Sequence, residues 1–239
     1  MGDKVYLAMA GAAARLRSLD TIADNLANAE TPGFRAAQGR FESYLADAGQ
    51  RAAEHPSYVA AMAGGIDGRS GAPELTGRPL DVRVDGQAFL TVQQQNGLPG
   101  FTRDGRIEVD TEGMLHIQGR PVLGQSGEVI TVPRNALVAI DERGVVKADG
   151  VEIDRLALHE LSGALERVGP AVLALGAEGA AVPIEGRLAV GEIEGSNVTA
   201  LESTVALVTA QRAYDNAMQA LQTSKRLDER AADVGRVRG

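Results

Sequence analysis

Apolar residues recur along the first thirty positions of the chain at alternating spacings of four and three residues. Such spacing returns a side chain to one face of a helix at every turn and is typical of a coiled-coil seam. Many intervening positions are alanine, which makes the seam shallow and favours a close partner helix. An amphipathic helix that packs on its own domain explains the pattern equally well. The pattern predicts a helix over residues 1–30, whose seam contains Val5, Met9, Leu16, Leu19 and Leu26.

A second segment with helical periodicity lies near the other end of the chain. Thr199 and Glu202 have the spacing of a capping box, and Asn197 is an alternative N-cap. Apolar residues then repeat every three or four positions, which predicts a helix over 197–230 and a flexible tail over 231–239. The seam of this second helix contains Leu207, Tyr214 and Leu221.

Between these segments the pattern changes to an alternation of apolar and polar residues, as at 80–84, which is typical of strands with one buried face. Dipeptides that end in glycine, such as Asn96-Gly97 and Asp104-Gly105, interrupt the alternation and predict hairpin turns. Residues 80–196 are therefore expected to form an all-β sandwich or open barrel. The Gly- and Pro-rich stretch within 31–79 predicts an irregular connector with short β elements.

These patterns together predict an α+β fold. The two terminal helices would form one discontinuous coiled-coil domain around a central all-β domain. Two isolated helices bury little apolar surface and are marginally stable in water. The terminal helices are therefore expected to find partners on other chains.

Composition and charge mainly exclude classes of function and of site. The chain has 239 residues, with 24 Lys and Arg against 32 Asp and Glu, and a formal net charge of −8. Such an acidic balance offers no electrostatic footprint for nucleic acid. No apolar run is long enough for a membrane span, and no cleavable signal peptide is expected. The chain has no cysteine, which excludes disulfides and thiolate metal sites.

No arrangement of residues is typical of a catalytic or cofactor site. His55, His116 and His159 are far apart in sequence, and Ser126 lacks the spacing of a nucleophile elbow. No glycine-rich phosphate-binding motif occurs. We therefore predict no catalytic, cofactor-binding or metal-binding residues, and the chain is not expected to be an enzyme.

The first predicted helix ends in the unusually specific sequence NLANAETPGF, at 25–34. Asparagine suits helix C-termini, the residue before proline avoids the helical conformation, and glycine allows a turn. A helix stop alone explains this motif. The segment EGSNV before the second helix is comparably specific. The junction residues of these two segments are Asn25, Asn28, Thr31, Pro32, Gly33, Phe34, Gly195, Ser196 and Asn197.

Both segments resemble signatures of the flagellar axial proteins, the rod and hook family. LDVRVDGQAFLTVQ at 80–93, GFTRDGRIEVDTEGMLHIQGRPVLG at 100–124 and AIDERGVV at 139–146 also resemble that family, in the same order. The resemblance implies a structural subunit of the bacterial flagellar basal-body rod. In that family the terminal helices form the inner coiled-coil layer of a hollow, torque-transmitting shaft, and the β-domain faces outward. TPGFRA at 31–36 and the stretch 117–133 are most similar to the proximal rod type, with the distal rod type as an alternative.

The resemblance further implies partners, a location and a route of secretion. The partners would be other rod proteins and copies of related axial subunits, within the periplasmic rod of the basal body. Family members pass through the flagellar export apparatus without a cleaved signal peptide, and many carry an early Phe-x-x-x-apolar motif. Phe41 and Leu45 match that motif, although a small helical turn packed on the β-domain explains them equally well.

A protein of another class accounts for the same helices and strands. It is a soluble β-sandwich binding module with a helical oligomerisation hairpin. Such a module would form a small, defined oligomer whose helices are already folded.

Overall fold

The computed structural model describes residues 2–44 and 58–236, and the side chains of 11–38, 65–220, 222, 223 and 226. The chain divides into two compact units. The first, which we call the helical unit, comprises Met1–Ala27, Ala37–Gly65 and Ala200–Gly239. The second, which we call the body, comprises Asn28–Ala36 and Ile66–Thr199.

The helical unit contains two long helices that lie against each other, α1 (Gly2–Ala27) and α2 (Ala200–Arg236). The guanidinium of Arg15 donates a hydrogen bond across this contact to the carbonyl of Ala213, at 3.4 Å. Two strands, β1 (Ala37–Tyr44) and β2 (Tyr58–Ile66), form a two-stranded sheet, and β1 contacts α1. No helix of the described residues is long and apolar enough to cross a membrane.

The second helix is longer than its apolar pattern predicted. It continues to Arg236, so the flexible tail predicted at 231–239 is helical over its first six residues. The extension has the sequence AADVGR, in which two Ala and one Arg are good helix formers but Asp233, Val234 and Gly235 are poor ones, so helix propensity alone does not explain it.

The body is built from antiparallel strands, of which six form its largest sheet, in the order β14-β15-β6-β5-β13-β16. Smaller sheets have the orders β10-β11-β12, β7-β8-β9, β17-β4 and β18-β3. The strands are β3 (Pro73–Leu75), β4 (Val82–Val84), β5 (Ala88–Gln93), β6 (Pro99–Thr102), β7 (Glu108–Val109), β8 (Leu115–Ile117), β9 (Arg120–Pro121), β10 (Val138–Ile140), β11 (Val145–Ala148), β12 (Val151–Arg155), β13 (Leu158–Ser162), β14 (Leu165–Gly169), β15 (Val172–Leu175), β16 (Ala180–Pro183), β17 (Leu188–Val190) and β18 (Glu192–Glu194). The predicted α+β class is confirmed.

Aliphatic side chains fill the core of the body. Alternation places Val82 and Val84 inside, while Arg83 between them reaches outward to Asp85 and Glu192. The largest members of this core, each at most 1% exposed, are Leu90, Val92, Ile107, Leu115, Ile117, Val122 and Ile130. Because aromatic residues make up only 3% of the chain, branched aliphatic side chains supply most of the buried volume.

The Gly-containing turn motifs behave in two ways. Gln118-Gly119 and Asp149-Gly150 have positive φ at both residues, as a two-residue hairpin turn of type I′ requires. The hairpin predicted at Asp104-Gly105 is wrong, because β6 pairs with β5 and β15 and not with β7. A Cβ at Gly105 would lie 1.6 Å from the carbonyl oxygen of Val82, so glycine there permits a close backbone approach.

The predicted connector at 31–79 is also corrected. Its middle part contains β1 and β2, strands of eight and nine residues, and its two ends fold into the body. Glycine-rich composition suggested an irregular chain, yet one of these glycines serves tight packing. A Cβ at Gly71 would lie 2.0 Å from the carbonyl oxygen of Gly195.

Candidate assembly surface and junction

The predicted seam residues lie on both helices of the helical unit. Leu16 is 44% exposed, and Leu19 is half-buried. Leu26, Leu207 and Tyr214 are half-buried as well. The side chains of Val5, Met9 and Leu221 lie outside the described residues.

Small residues are buried on α1, while large aliphatic residues remain exposed on both helices. Ala12 and Ala14 are buried, in contrast to Leu16. Exposed aliphatic side chains on a long helix provide apolar surface that another chain can cover. On α2 these residues are Leu201 at 75%, Val205 at 60% and Val208 at 45% exposure.

Asn25, near the end of α1, does more than stop the helix. Its amide nitrogen donates to the carbonyl of Ala37 at 2.9 Å, and its amide oxygen accepts from the N–H of Ala37 at 2.8 Å. The side chain thus pairs with the first residue of β1 as a neighbouring strand would. This two-point contact fixes the chain where β1 begins.

Three segments of the body meet at residues 28–36, 67–72 and 194–197, which we call the junction cluster. The N–H of Gly33 donates to the carbonyl of Glu194 at 2.7 Å, and the N–H of Asn197 donates to the carbonyl of Phe34 at 3.1 Å. The N–H of Gly195 donates to the carbonyl of Ala72 at 2.8 Å. These bonds join the segment that enters the body to the segment that leaves it.

Asn197 uses its side chain inside this cluster. Its amide oxygen accepts from the N–H of Ala36 at 2.7 Å, and its amide nitrogen donates to the carbonyl of Arg69 at 2.9 Å. The N-cap role predicted for Asn197 is therefore wrong. Thr199, directly before α2, occupies the cap position instead. The side-chain amide of Asn197 is held by backbone groups that are distant in sequence. Local sequence therefore cannot predict its position.

The other junction residues support the same turn. The hydroxyl of Thr31 donates to the amide oxygen of Asn28 at 3.2 Å, and the N–H of Thr31 donates to the carbonyl of Asn28 at 3.1 Å. Pro32 is buried, and Gly33 has a positive φ of 69°. The hydroxyl of Ser196 accepts from the N–H of Val198 at 3.1 Å.

Phe34 is fully buried and acts as an anchor of the entering segment. The guanidinium of Arg167 lies over its ring, 4.3 Å from the ring centroid, which is a cation–π distance. Arg167 also donates to the carbonyls of Arg35 and Pro170. One arginine therefore contacts both the ring and the backbone of the entering segment.

A buried group of three charges lies at the centre of the junction cluster. Glu194 contacts Arg35 at 2.8 Å through one carboxylate oxygen and Arg103 at 2.6 Å through the other, and each side chain is 2% exposed. Arg103 also donates to the carbonyls of Ala88 and Val84. The Glu194 carboxylate accepts from the N–H of Gly71 at 3.1 Å. Segments distant in sequence thus share one buried carboxylate.

Burial lowers the pKa of Arg35, and the neighbouring positive charge of Arg103 lowers it further, while Glu194 opposes both effects. Breaking such a buried network leaves an uncompensated charge. No sequence pattern indicates this triad, because charged residues are normally solvated and no periodicity marks buried ones. The nearest signal in the sequence is position, since Arg35 directly follows the motif at 25–34 and Glu194 is the first residue of EGSNV.

Among the described side chains, neither Ser126 nor His159 has the partners of a catalytic nucleophile and its base. The hydroxyl of Ser126 donates to Asp154 at 3.3 Å, whereas Nδ1 of His159 lies 2.8 Å from the hydroxyl of Thr91. Burial lowers the pKa of His159, which keeps the imidazole neutral at pH 7. Among the described residues, no group of three or more His, Asp or Glu side chains could hold a metal ion.

Three family models match successive parts of this chain. Residues 6–35 match the model described as flagella basal body rod protein. Residues 83–148 match the D1 domain of the flagellar hook protein FlgE/F/G. Residues 189–234 match the C-terminal region of flagellar basal body rod FlgEFG proteins. The first and third models cover most of α1 and α2, and the second covers much of the body.

Relatives match nearly the whole chain. The flagellar basal-body rod protein FlgF of Escherichia coli is 32% identical, over 92% of this chain and 93% of its own length. FlgF of Mesorhizobium japonicum is 30% identical, over 98% and 99%. The flagellar basal-body rod protein FlgG of Caulobacter vibrioides is 30% identical, over 92% and 94%. None of these relatives is named as an enzyme or as a binding module.

Proposed function

Because the chain belongs to the family of flagellar basal-body rod proteins, it is a structural subunit of the bacterial flagellar basal body, and we propose that it occupies the proximal, periplasmic segment of the rod. The motifs at 31–36 and 117–133, together with relatives named FlgF, support this position. The single observation that carries the assignment is similarity along nearly the full length of both chains.

In this proposal the helices are the assembly elements. Copies of this chain and related axial subunits pack their helices together as coiled coils in the inner layer of a hollow shaft. Covering Leu16, Leu201 and Val205 would remove apolar surface from water, worth roughly 25 cal/mol per Å² buried. The buried alanines of α1 permit close approach of helices. Many parallel seams then transmit torque, without catalysis.

The body has a complementary role in this proposal. Its core is closed, and its strands already bury their apolar faces. It can therefore face outward as a sandwich-like domain while the helices engage neighbouring subunits. A binding module with a helical hairpin would explain the same two units, but the named relatives are rod proteins.

The experiment replaces exposed aliphatic residues on the helices by aspartate. Leu16→Asp and Val205→Asp should abolish rod assembly and motility, because a charge in an apolar seam is not solvated. Leu137→Asp is the matched control, since Leu137 is a 79% exposed aliphatic residue of the body. Basal bodies purified from complemented cells give the readout, together with thermal unfolding of each purified variant. Motile cells carrying either helix variant would overturn the assembly role.

We also propose that the chain is exported without a cleaved signal peptide, with Phe41 and Leu45 as the export motif. Phe41 lies in β1, and Leu45 lies outside the described residues. Phe41→Ala should lower the amount secreted by flagellated cells, whereas Tyr44→Ala, in the same strand, should not. Equal secretion of the Phe41→Ala variant and the unaltered chain would remove this role.

A further inference from the structure

The body contains a cavity of about 890 Å³ that plays no part in the proposed assembly. Strands β5, β12, β13 and β16 contribute to its walls, and the turn at 124–127 closes part of its rim. Its volume lies near the upper end of the range of pockets that bind small molecules. A single small ion would leave most of this space unfilled.

The charge that lines the cavity opposes that of the whole chain. Three guanidinium groups, those of Arg143, Arg155 and Arg187, line it together with one carboxylate, that of Glu185. The formal net charge of the chain is −8. Arg187 pairs with Glu142 at 2.7 Å and Arg155 with Glu185 at 3.7 Å, so the guanidinium of Arg143 and the Nε–H of Arg155 are the cationic donors left for an anionic ligand.

Two of these arginines have unused hydrogen-bond donors. The Nε–H of Arg155 is buried without an acceptor among the described residues. Its ion pair with Glu185 is long, at 3.7 Å, and Glu185 is 85% exposed. Within the described part of the chain, no group bonds or pairs with the guanidinium of Arg143. Buried donors in folded proteins normally have acceptors, so the Nε–H of Arg155 is a donor that a ligand acceptor can satisfy.

The remaining walls are mostly neutral. Aliphatic side chains of Leu123, Leu156, Leu158 and Ile184 contribute apolar surface. His159 is neutral at pH 7, as its lowered pKa indicates, and it shares a hydrogen bond with Thr91. A ligand that suits these walls carries both carboxylates and apolar groups.

We propose that this cavity binds an acidic peptide segment of a protein partner. Carboxylates of the segment accept hydrogen bonds from Arg143 and Arg155, whose planar guanidinium groups match a carboxylate in two-point geometry. Apolar side chains of the segment lie against the aliphatic wall. The proposal does not depend on rod assembly, because the cavity belongs entirely to the body.

The test uses the purified full-length chain and a fluorescently labelled hexapeptide of alternating Glu and Leu. Fluorescence anisotropy should show saturable binding that weakens as salt rises from about 50 to about 500 mM. A hexapeptide of alternating Lys and Leu should not bind. Free succinate should compete only at far higher concentration than the unlabelled Glu peptide, because it cannot use the aliphatic wall.

Substitutions of the lining arginines then test whether the peptide binds in this cavity. Arg143→Gln and Arg155→Gln should each weaken the peptide affinity by about tenfold, since each removes a charged donor. Arg134→Gln is the matched control, because Arg134 is an exposed arginine of the body that does not line the cavity. It should change the affinity less than about twofold. Arg143 is exposed, so its substitution leaves the fold intact even where that of Arg155 does not.

Several outcomes would overturn the proposal. These are the absence of saturable binding, an equal loss of affinity in Arg134→Gln, and full affinity in Arg143→Gln. Competition by succinate as strong as that by the peptide would assign the cavity to small anions instead. Motility is not a readout here, so this proposal and the assembly proposal fail independently.

Discussion

The body and the helical unit differ in the aliphatic side chains that they bury: among the described residues, the body buries a core of large ones, whereas the helical unit buries only Ala12 and Ala14. In the body, Val84, Leu90 and Ile107 are at most 1% exposed. In the helical unit, Leu201 and Val205 are at least 60% exposed, although the two helices contact each other. The body therefore has an aliphatic core of its own, and in the assembly that we propose other chains cover the apolar surface of the helices.

Hydrogen exchange on the purified chain should give the largest contrast between the two units. Amides of the body strands open only when the body unfolds, while helices with few buried contacts open locally. We expect protection at least about 100-fold higher in β5 and β6 than in α2. Addition of a crosslinked rod fraction should raise the protection of α2. Equal protection in both units of the isolated chain would show that the helices are as stable as the body.

The next effect concerns the buried charges of the junction cluster. Glu194→Ala leaves Arg35 and Arg103 without their shared partner, and should lower the free energy of unfolding of the body by about 3–5 kcal/mol. This change in the free energy of unfolding is measured by urea unfolding, with hydrogen exchange of the body strands as the probe. The matched control is Glu192→Ala, since Glu192 pairs with Arg83 where both side chains are partly exposed. The control should cost less than about 1 kcal/mol, and equal costs would show that burial is not the cause.

A smaller effect is expected at Asn197. Asn197→Ala removes the bonds to Ala36 and Arg69 and leaves those backbone groups partly buried. Unfolding in urea should show a loss of about 2 kcal/mol in body stability. Asn96→Ala removes one bond in an exposed turn and should cost less than about 0.5 kcal/mol. A near-zero effect at Asn197 would mean that solvent replaces its contacts.

The smallest effect is a dependence of stability on pH. Because burial lowers the folded-state pKa of His159, the unfolded chain binds more protons just below pH 6.5. Stability of the body should therefore fall as the pH drops from about 7 towards 5. His159→Gln should flatten this part of the profile, measured as melting temperature against pH. An unchanged slope in the variant would assign the dependence to other groups.

Periodicity explains most of what the sequence predicted correctly. Both helices and strands such as β4 and β5 follow from the spacing of their apolar residues. Local sequence favours a hairpin turn at Gly105 and offers Asn197 as a cap beside Thr199. Their actual roles depend on Val82, Ala36 and other groups far away in the chain. The charge of Glu194 hid its burial, since only the fold brings both arginines to it.

The junction cluster also sets an order of events during folding. The bond between Ala36 and Asn197 joins residues 161 positions apart, and the bond between Arg103 and Glu194 spans 91 positions. Neither bond can form before the last fifth of the chain is available. Contacts of such long sequence separation close late and slow folding. If the chain becomes available from its N-terminus, residues 28–36 therefore cannot form this contact with Asn197 until residue 197 is also available.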